Sequence, residues 1–356
     1  MIGRWRGRAK GEPAHAGSHD PDHPGPERAA VERGLVASHP ATAGRSPVVA
    51  RIAVRVYHVT AFVLGRLPRR LSYWILATAI QGSYLLWPSR RRWANLNFGH
   101  VLGLPRDHPA VRSLALAAHR HYAEYMVELM RLPDLDLSHA AALVELQGVE
   151  ALEALRARGS VILAAAHVGN NELVAAGIAS LKWPISVLAD DSALPELFEY
   201  LAAQRERLGV RIIPWRNLRE VYRVLKRGEM LGLLVDWGYR TDGIPVRLCG
   251  VWTTLPSGPA SLAARTGATI LPVVSRRRPD GTFLVSCDEP IRVASNDPAE
   301  LARATQAIAD ALGRVITAAP EQWYSFKPMW PETADERDEL ARRAPAMLAG
   351  AGEVEA

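Results

Sequence analysis

From residue 161 onward the chain is cut into short apolar runs separated by stretches of helical length, and this alternation restricts the fold more than any other feature. The runs at 161–166, 185–188, 210–214, 230–235, 269–274 and 283–287 have strand length, and helices are expected between or after them at 194–208, 217–227, 257–266 and 298–317. A strand apolar at successive positions, not at alternate ones, is buried on both faces, as in a parallel sheet covered by helices. The alternation therefore predicts an α/β fold with a largely parallel central sheet flanked by helices. Upstream, 107–132 and 148–159 read as amphipathic helices, the second ending just before the first of these strands. Length alone would admit two domains, but the pattern supports one, with no internal repeat.

The first strand carries the most informative chemistry. Its apolar residues run into His167, followed by Val168, Gly169, Asn170, Asn171 and Glu172. On one continuous helix, residues five apart are rotated by about 140° and point to different faces, so imidazole and carboxylate converge only across a turn. Gly169 to Asn171 supplies that turn and a candidate N-cap, and Glu172 opens a helix whose dipole favours a carboxylate there. A second apolar run ends in Asp236 before a glycine-bearing loop containing Arg240, and strand ends of a parallel sheet share one edge. His167, Glu172 and Asp236 are the candidate catalytic residues, an oriented general base. Pro256, Ser257, Gly258 and Pro259 then feed a helix, whose start suits an anion or an oxyanion.

Ordered blocks extend this picture. They are the His167–Glu172 segment, residues 204–214 with Arg205 and Pro214, residues 226–236, Leu255-Pro-Ser-Gly-Pro-Ala, and Pro320-Glu-Gln-Trp-Tyr. In order and spacing, over about 46–331, they resemble the bacterial lipid A biosynthesis acyltransferases. That family lies in the lysophospholipid acyltransferase superfamily and includes the mycobacterial phosphatidylinositol mannoside acyltransferases. His167 and Glu172 look like its His-x4-Asp/Glu motif, although Asn171 stands where the family usually has an aromatic residue. The resemblance implies transfer of a fatty acyl chain from acyl carrier protein or coenzyme A to a hydroxyl of a membrane glycolipid or lysolipid, with no cofactor. His167 would take the acceptor's proton, with Glu172 or Asp236 fixing its tautomer. Arg205 would meet an anionic substrate or the thioester oxygen, unless it is a solvated charge on a helix face. Gly169, Asn170, Arg240, Ser257 and Gly258 are further candidate substrate contacts.

The charge distribution bears on partners. The chain carries a formal net charge of +6, which favours nucleic acid or anionic lipid. Between Arg51 and Arg92 it has arginines but no Asp or Glu, interleaved with apolar and aromatic runs such as the uncharged 71–88. That is the makeup of an anchor on an anionic membrane surface, and not of a nucleic-acid binder. Residues 46–100 are thus expected to form a basic, membrane-associating helical segment, peripheral or monotopic on the cytoplasmic face of the plasma membrane. A marginal spanning helix and a core helix are the alternatives for 71–88. The α/β domain would follow at 101–331.

Residues 1–45, rich in Gly, Pro, His and charge, read as disordered, with no apolar signal region. His15, His19 and His23 recur every four residues, but Pro21 and Pro24 disfavour the helix that would align them. Residues 332–356 read as a polar tail, a surface helix with a frayed end. Two cysteines imply no disulfide framework, and no zinc, P-loop or Gly-x-Ser-x-Gly pattern occurs. Two other readings remain: a non-catalytic lipid-binding scaffold of the same fold, and a metal-dependent hydrolase with His167, Glu172 and Asp236 as ligands.

Overall fold

A computed structural model describes residues 47–191 and 194–352. Residues 1–45, expected to be disordered, and with them His15, His19 and His23, lie outside the described residues.

Four helices come first. α1 (Pro47–Arg66) ends before Leu67-Pro68, α2 (Arg69–Leu86) stops two residues before the proline that opens α3 (Pro88–Leu102), and α4 (Pro109–Met130) also begins on a proline. Proline suits a first helical turn because its missing N–H has no intrahelical partner there. α2 and α3 pack on α4. The basic segment expected to be helical over 46–100 is three helices, and within it 71–88 is largely α2. α2 buries Ser72, Ala77 and Tyr84, and its polar groups find partners inside the protein: Gln81 donates to the Leu116 carbonyl at 3.0 Å and Tyr84 to Asn95 at 2.7 Å. Apolar side chains stay uncovered on both helices: Val48, Ile52, Val56, Val59 and Phe62 of α1 are each more than half exposed, and so are Trp74, Leu85, Leu86 and Trp87 in and just after α2. Val48–Arg66 is long and apolar enough to cross a membrane.

The chain continues through a 3₁₀ turn (Leu132–Asp134) to α5 (Leu137–Ala142), β1 (Val144–Leu146), α6 (Val149–Arg158), β2 (Val161–Ala165), α7 (Asn171–Ser180) and β3 (Ile185–Ala189). It proceeds through α8 (Pro195–Arg207), β4 (Val210–Pro214), α9 (Leu218–Lys226), β5 (Met230–Leu234), β6 (Ile244–Leu248) and β7 (Val251–Leu255). α10 (Gly258–Thr266), β8 (Thr269–Arg277), β9 (Phe283–Cys287), α11 (Pro298–Ala318) and α12 (Ala334–Gly352) complete it. Seven strands form one sheet in the order β1-β9-β8-β2-β5-β3-β4. Five of them, β8 to β4 in that order, are mutually parallel, and β9 joins β8 antiparallel with β1 parallel to it.

β2 lies in the middle of the sheet with Val161 to Ala164 all buried, each large side chain worth about 1.5–3 kcal/mol. One core cluster fills the face covered by α3, α9, α10 and α11, and a second fills the face under α6 and α7. β6 and β7 form a separate hairpin, which the sequence pattern did not signal. Cys249 and Gly250, both at positive φ, make its two-residue turn.

Two late segments bind the structure together. Residues 320–330 form a strap fixed to α3 by Asn97, whose side chain donates to the Ser325 and Lys327 carbonyls and accepts from the Met329 N–H. The region expected as a polar tail contains α12, which packs on α11 and the hairpin, burying Leu340 and Ala344. Its Arg343 donates to the carbonyls of Thr241 and Gly243.

Candidate active site

The register of the sheet brings the site together. β2 and β5 are neighbours with Ala165 opposite Leu234, so His167 and Asp236, each two residues further on, leave the sheet side by side. The Asp236 carboxylate is fully buried, and its Oδ1 lies 2.7 Å from His167 Nδ1. A carboxylate can only accept, so Nδ1 carries the proton and Nε2 is the nitrogen left to act as a base. Asp236 Oδ2 accepts the His167 main-chain N–H at 3.0 Å and the Trp323 indole N–H at 2.9 Å. The imidazole remains about one-third exposed, with Trp237 edge-on to it at 5.9 Å between centroids.

Electrostatics follow from this arrangement. Burial alone would lower the pKa of His167, but the charge and hydrogen bond of Asp236 outweigh it and hold the imidazole above its ordinary range. Burial likewise opposes ionisation of Asp236, and His167 together with the Trp323 hydrogen bond keeps its carboxyl below its ordinary range.

Glu172 does not join the imidazole. It sits in the first turn of α7 and forms a bidentate pair with Arg205 of α8, Nε to Oε2 at 2.7 Å and Nη2 to Oε1 at 2.5 Å. Tyr125 of α4 approaches the same carboxylate at 3.4 Å. Both partners are mostly buried, with 17% and 12% of the Arg205 and Glu172 side chains exposed. Arg205 is therefore neither a solvated charge nor an unengaged anion receptor. Glu172 buttresses α7 against α8 and α4, and Asp236 alone orients the histidine.

Several other candidate substrate contacts have partners within the protein. Asn170 is buried: its Oδ1 caps α7 by accepting the Leu173 N–H, and its Nδ2 donates to Glu128 at 2.8 Å. Glu128 is also held by a bidentate bond from Arg277. Gly169 has φ +67°, and a Cβ there would meet the Ser275 carbonyl and hydroxyl at 2.7 Å. The sharp exit from β2 thus needs glycine for both conformation and space. At the start of α10, Gly258 is buried and Pro259 brings no N–H, so the helix offers fewer donors to an oxyanion than the sequence suggested. Arg240 pairs with Asp242 through two contacts of 2.9 Å.

Trp323 was not assigned a role from sequence. It stands 87 residues beyond Asp236, a separation that no local pattern reports. Val168 bridges Trp323, and the Tyr324 N–H donates to the His167 carbonyl at 2.8 Å. Beyond Trp237 opens a cleft of about 780 Å³ at the ends of β3 and β5, lined in part by Trp93, Trp237, Arg240, Asp242, Lys327 and Trp330. Among the described residues no three His, Cys, Asp or Glu side chains converge as a metal site. Burial pushes the thiols of Cys249 and Cys287 up to about 11, so near neutral pH they are poor nucleophiles.

The model of the bacterial lipid A biosynthesis acyltransferases matches residues 48–332. The chain belongs to this family. It is an acyltransferase, transferring groups other than aminoacyl groups. Among curated proteins it is 28% identical over 249 residues to the phosphatidylinositol mannoside acyltransferase of Mycolicibacterium smegmatis, covering 68% of this chain and 80% of that protein. It is also 28% identical over 244 residues to the one of Mycobacterium tuberculosis, covering 66% of this chain and 75% of that protein. The matched stretch takes in α1 as well as the sheet and the strap, so the acyltransferase family unit includes the apolar helix.

Proposed function

We propose that this acyltransferase moves a fatty acyl chain from a thioester, on acyl carrier protein or coenzyme A, to a hydroxyl of a membrane glycolipid of the phosphatidylinositol mannoside or lipid A precursor type, with His167 as general base. The observation that carries this reading is the His167–Asp236 pair, 2.7 Å apart with the imidazole open to solvent. Nε2 takes the proton of the acceptor hydroxyl as its oxygen attacks the thioester carbonyl. The C–O bond forms, the C–S bond breaks, and the imidazolium, stabilised by Asp236, returns its proton to the departing thiolate. No acyl-enzyme is needed, because a thiolate leaves readily.

The neighbourhood suits such a substrate pair. The cleft past Trp237 combines indole faces with carboxylates and an arginine, a surface able to stack on and hydrogen-bond a sugar headgroup. α1, with its exposed apolar face, packs beside α8: Tyr57 meets Tyr200 edge-on at 6.3 Å, on the helix that carries Arg205. On this reading α1 lies in the cytoplasmic face of the plasma membrane and the site draws its acceptor from the same surface. Replacing Val56, Val59 and Phe62 by Asp is then expected to move the protein from the floating to the soluble fraction with anionic vesicles, leaving its circular dichroism unchanged. Flotation of the triple variant at wild-type levels would contradict the assignment.

The other readings fit less well. A scaffold has no need of a histidine held by a buried carboxylate. The three ligands of a metal-dependent hydrolase do not converge, because Glu172 is held by Arg205. The test is to incubate the full chain in mixed micelles with long-chain acyl-coenzyme A or acyl carrier protein and phosphatidylinositol mannoside. Acylated lipid should form in step with free thiol. Free fatty acid without acylated lipid would mean hydrolysis and would reject the proposal.

A further inference from the structure

The dyad is assembled on a segment of chain that arrives from beyond α11, and one residue of that segment touches both of its halves. The Trp323 backbone bridges Val168 antiparallel, and the next amide, Tyr324 N–H, donates to the His167 carbonyl at 2.8 Å. Its side chain points to the other partner, donating the indole N–H to Asp236 Oδ2 at 2.9 Å. The indole is completely buried and packs edge-on against Phe98 of α3 and Trp330 of the strap, with centroids 5.9 and 6.3 Å away. A carboxylate hung on the end of a strand by one torsion has several orientations open to it. Here its two oxygens are held from opposite sides, Oδ1 by the imidazole and Oδ2 by an indole that close packing prevents from following a rotation.

The surrounding strap is fixed with unusual completeness. Gln322 exchanges hydrogen bonds in both directions with the backbone of Arg277 at the end of β8, 2.7 and 3.1 Å. Asn97 holds the chain on the far side of Trp323 through three bonds. The Gly169 N–H donates to the Gln322 carbonyl at 3.2 Å. Anchored on both sides, the residue between them cannot slide along the β2 exit without breaking bonds at two sites.

We infer that Trp323 is a positioning residue of the acyl-transfer reaction: its backbone sets the placement of His167, and its indole N–H fixes the rotation of the Asp236 carboxylate so that one oxygen faces Nδ1. The inference rests on the reading of His167 as general base. Deleting the N–H while keeping the ring shape removes one of three donors to Asp236 and leaves the two from His167 in place. Less of the carboxylate's charge is then shared, the imidazolium is held more strongly, and the neutral base form appears only at higher pH.

Two variants test this, Trp323→Phe and a protein with benzothienylalanine at position 323, an isostere in which sulfur replaces the N–H. If the phenylalanine variant fails to fold, the isostere decides. In the full-length detergent-solubilised enzyme, kcat is expected to fall by about 10- to 100-fold, the range for losing a hydrogen bond to a buried charge. KM for the thioester should stay within about threefold, a split expected when transition-state stabilisation and not binding is lost. The acid limb of the kcat–pH profile should move to higher pH. A folded isostere with wild-type kcat and an unmoved profile overturns the inference, as does a lower kcat with no displacement of the acid limb, which is the mark of a merely structural residue. If the wild type shows no turnover that depends on His167, the general-base reading fails and this inference falls with it; if it does and the isostere behaves as wild type, only the role of Trp323 is lost.

Discussion

Replacing Asp236 by Asn is expected to cut kcat by about 10² to 10⁴, as large an effect as removing a general base outright. The reason is donor and acceptor count. Asp236 accepts three hydrogen bonds, from the His167 N–H, from His167 Nδ1 and from the Trp323 indole. An amide has one accepting oxygen and two donors, so either its NH₂ faces the indole donor or it faces the imidazole. In the second case it donates to Nδ1 and drives the proton to Nε2, the nitrogen that must be free, which is how the same change disables a serine protease triad by about 10⁴. The pH profile gives an independent reading. In the wild type Asp236 raises the His167 pKa, and since the neutral imidazole is the active form, activity should fall as pH drops through that raised value. Without the carboxylate charge the acid limb should move to lower pH even as kcat collapses. A variant with wild-type kcat, or an acid limb that stays in place, would detach Asp236 from the chemistry.

Arg205→Ala should act on stability first. It leaves the Glu172 carboxylate mostly buried with only the long Tyr125 contact, and stripping one partner from a buried ion pair costs about 3–5 kcal/mol. At about 2–4 °C per kcal/mol for a large domain, the melting temperature should fall by roughly 6–20 °C. Replacing both residues, Glu172→Gln with Arg205→Met, should recover much of that loss, because no uncompensated charge remains. If Arg205→Ala instead raises KM for the thioester with no change in melting temperature, the arginine binds substrate anion, as its place in the sequence first suggested, and the pair with Glu172 carries little stability.

The sheet and its histidine were legible because both are local. Val161 to Ala164 are buried on both faces, and only a parallel strand in mid-sheet needs such an uninterrupted apolar run. Asp236 could be placed at the same edge because a strand end announces itself in the same way, although the sequence does not say that β2 and β5 are neighbours. The sequence read Glu172 as an alternative partner for the imidazole. Nothing in the spacing revealed Arg205, 33 residues on, which claims that carboxylate. Asn170 was a candidate substrate contact in a turn expected to cap the helix; it is the cap of α7, and its amide also engages Glu128. The hairpin β6–β7 was missed because Pro245 and the Cys249-Gly250 pair interrupt the alternation that marks a strand. Within the basic segment the sequence drew attention to 71–88 more than to α1, because composition cannot tell an apolar stripe that meets another helix from one that meets nothing: Tyr84 of α2 is buried while Trp74, Leu85 and Leu86 stay exposed, as do Val56, Val59 and Phe62 of α1.

If His167 removes the proton from a lipid hydroxyl as it attacks a thioester, thiol release must depend on both the lipid and the imidazole. The most direct measurement is thiol release from long-chain acyl-coenzyme A or acyl carrier protein by the purified full-length enzyme, with and without acceptor lipid, for the wild type and His167→Ala. Release should depend on the lipid and fall by about 10² to 10⁴ in the variant, with the circular dichroism unchanged; the melting temperature should drop as well, because the buried Asp236 loses the imidazole and keeps only its bonds from the main-chain N–H and the Trp323 indole. Lipid-dependent release by His167→Ala at the wild-type rate would contradict this role, and the base would have to be sought among other residues.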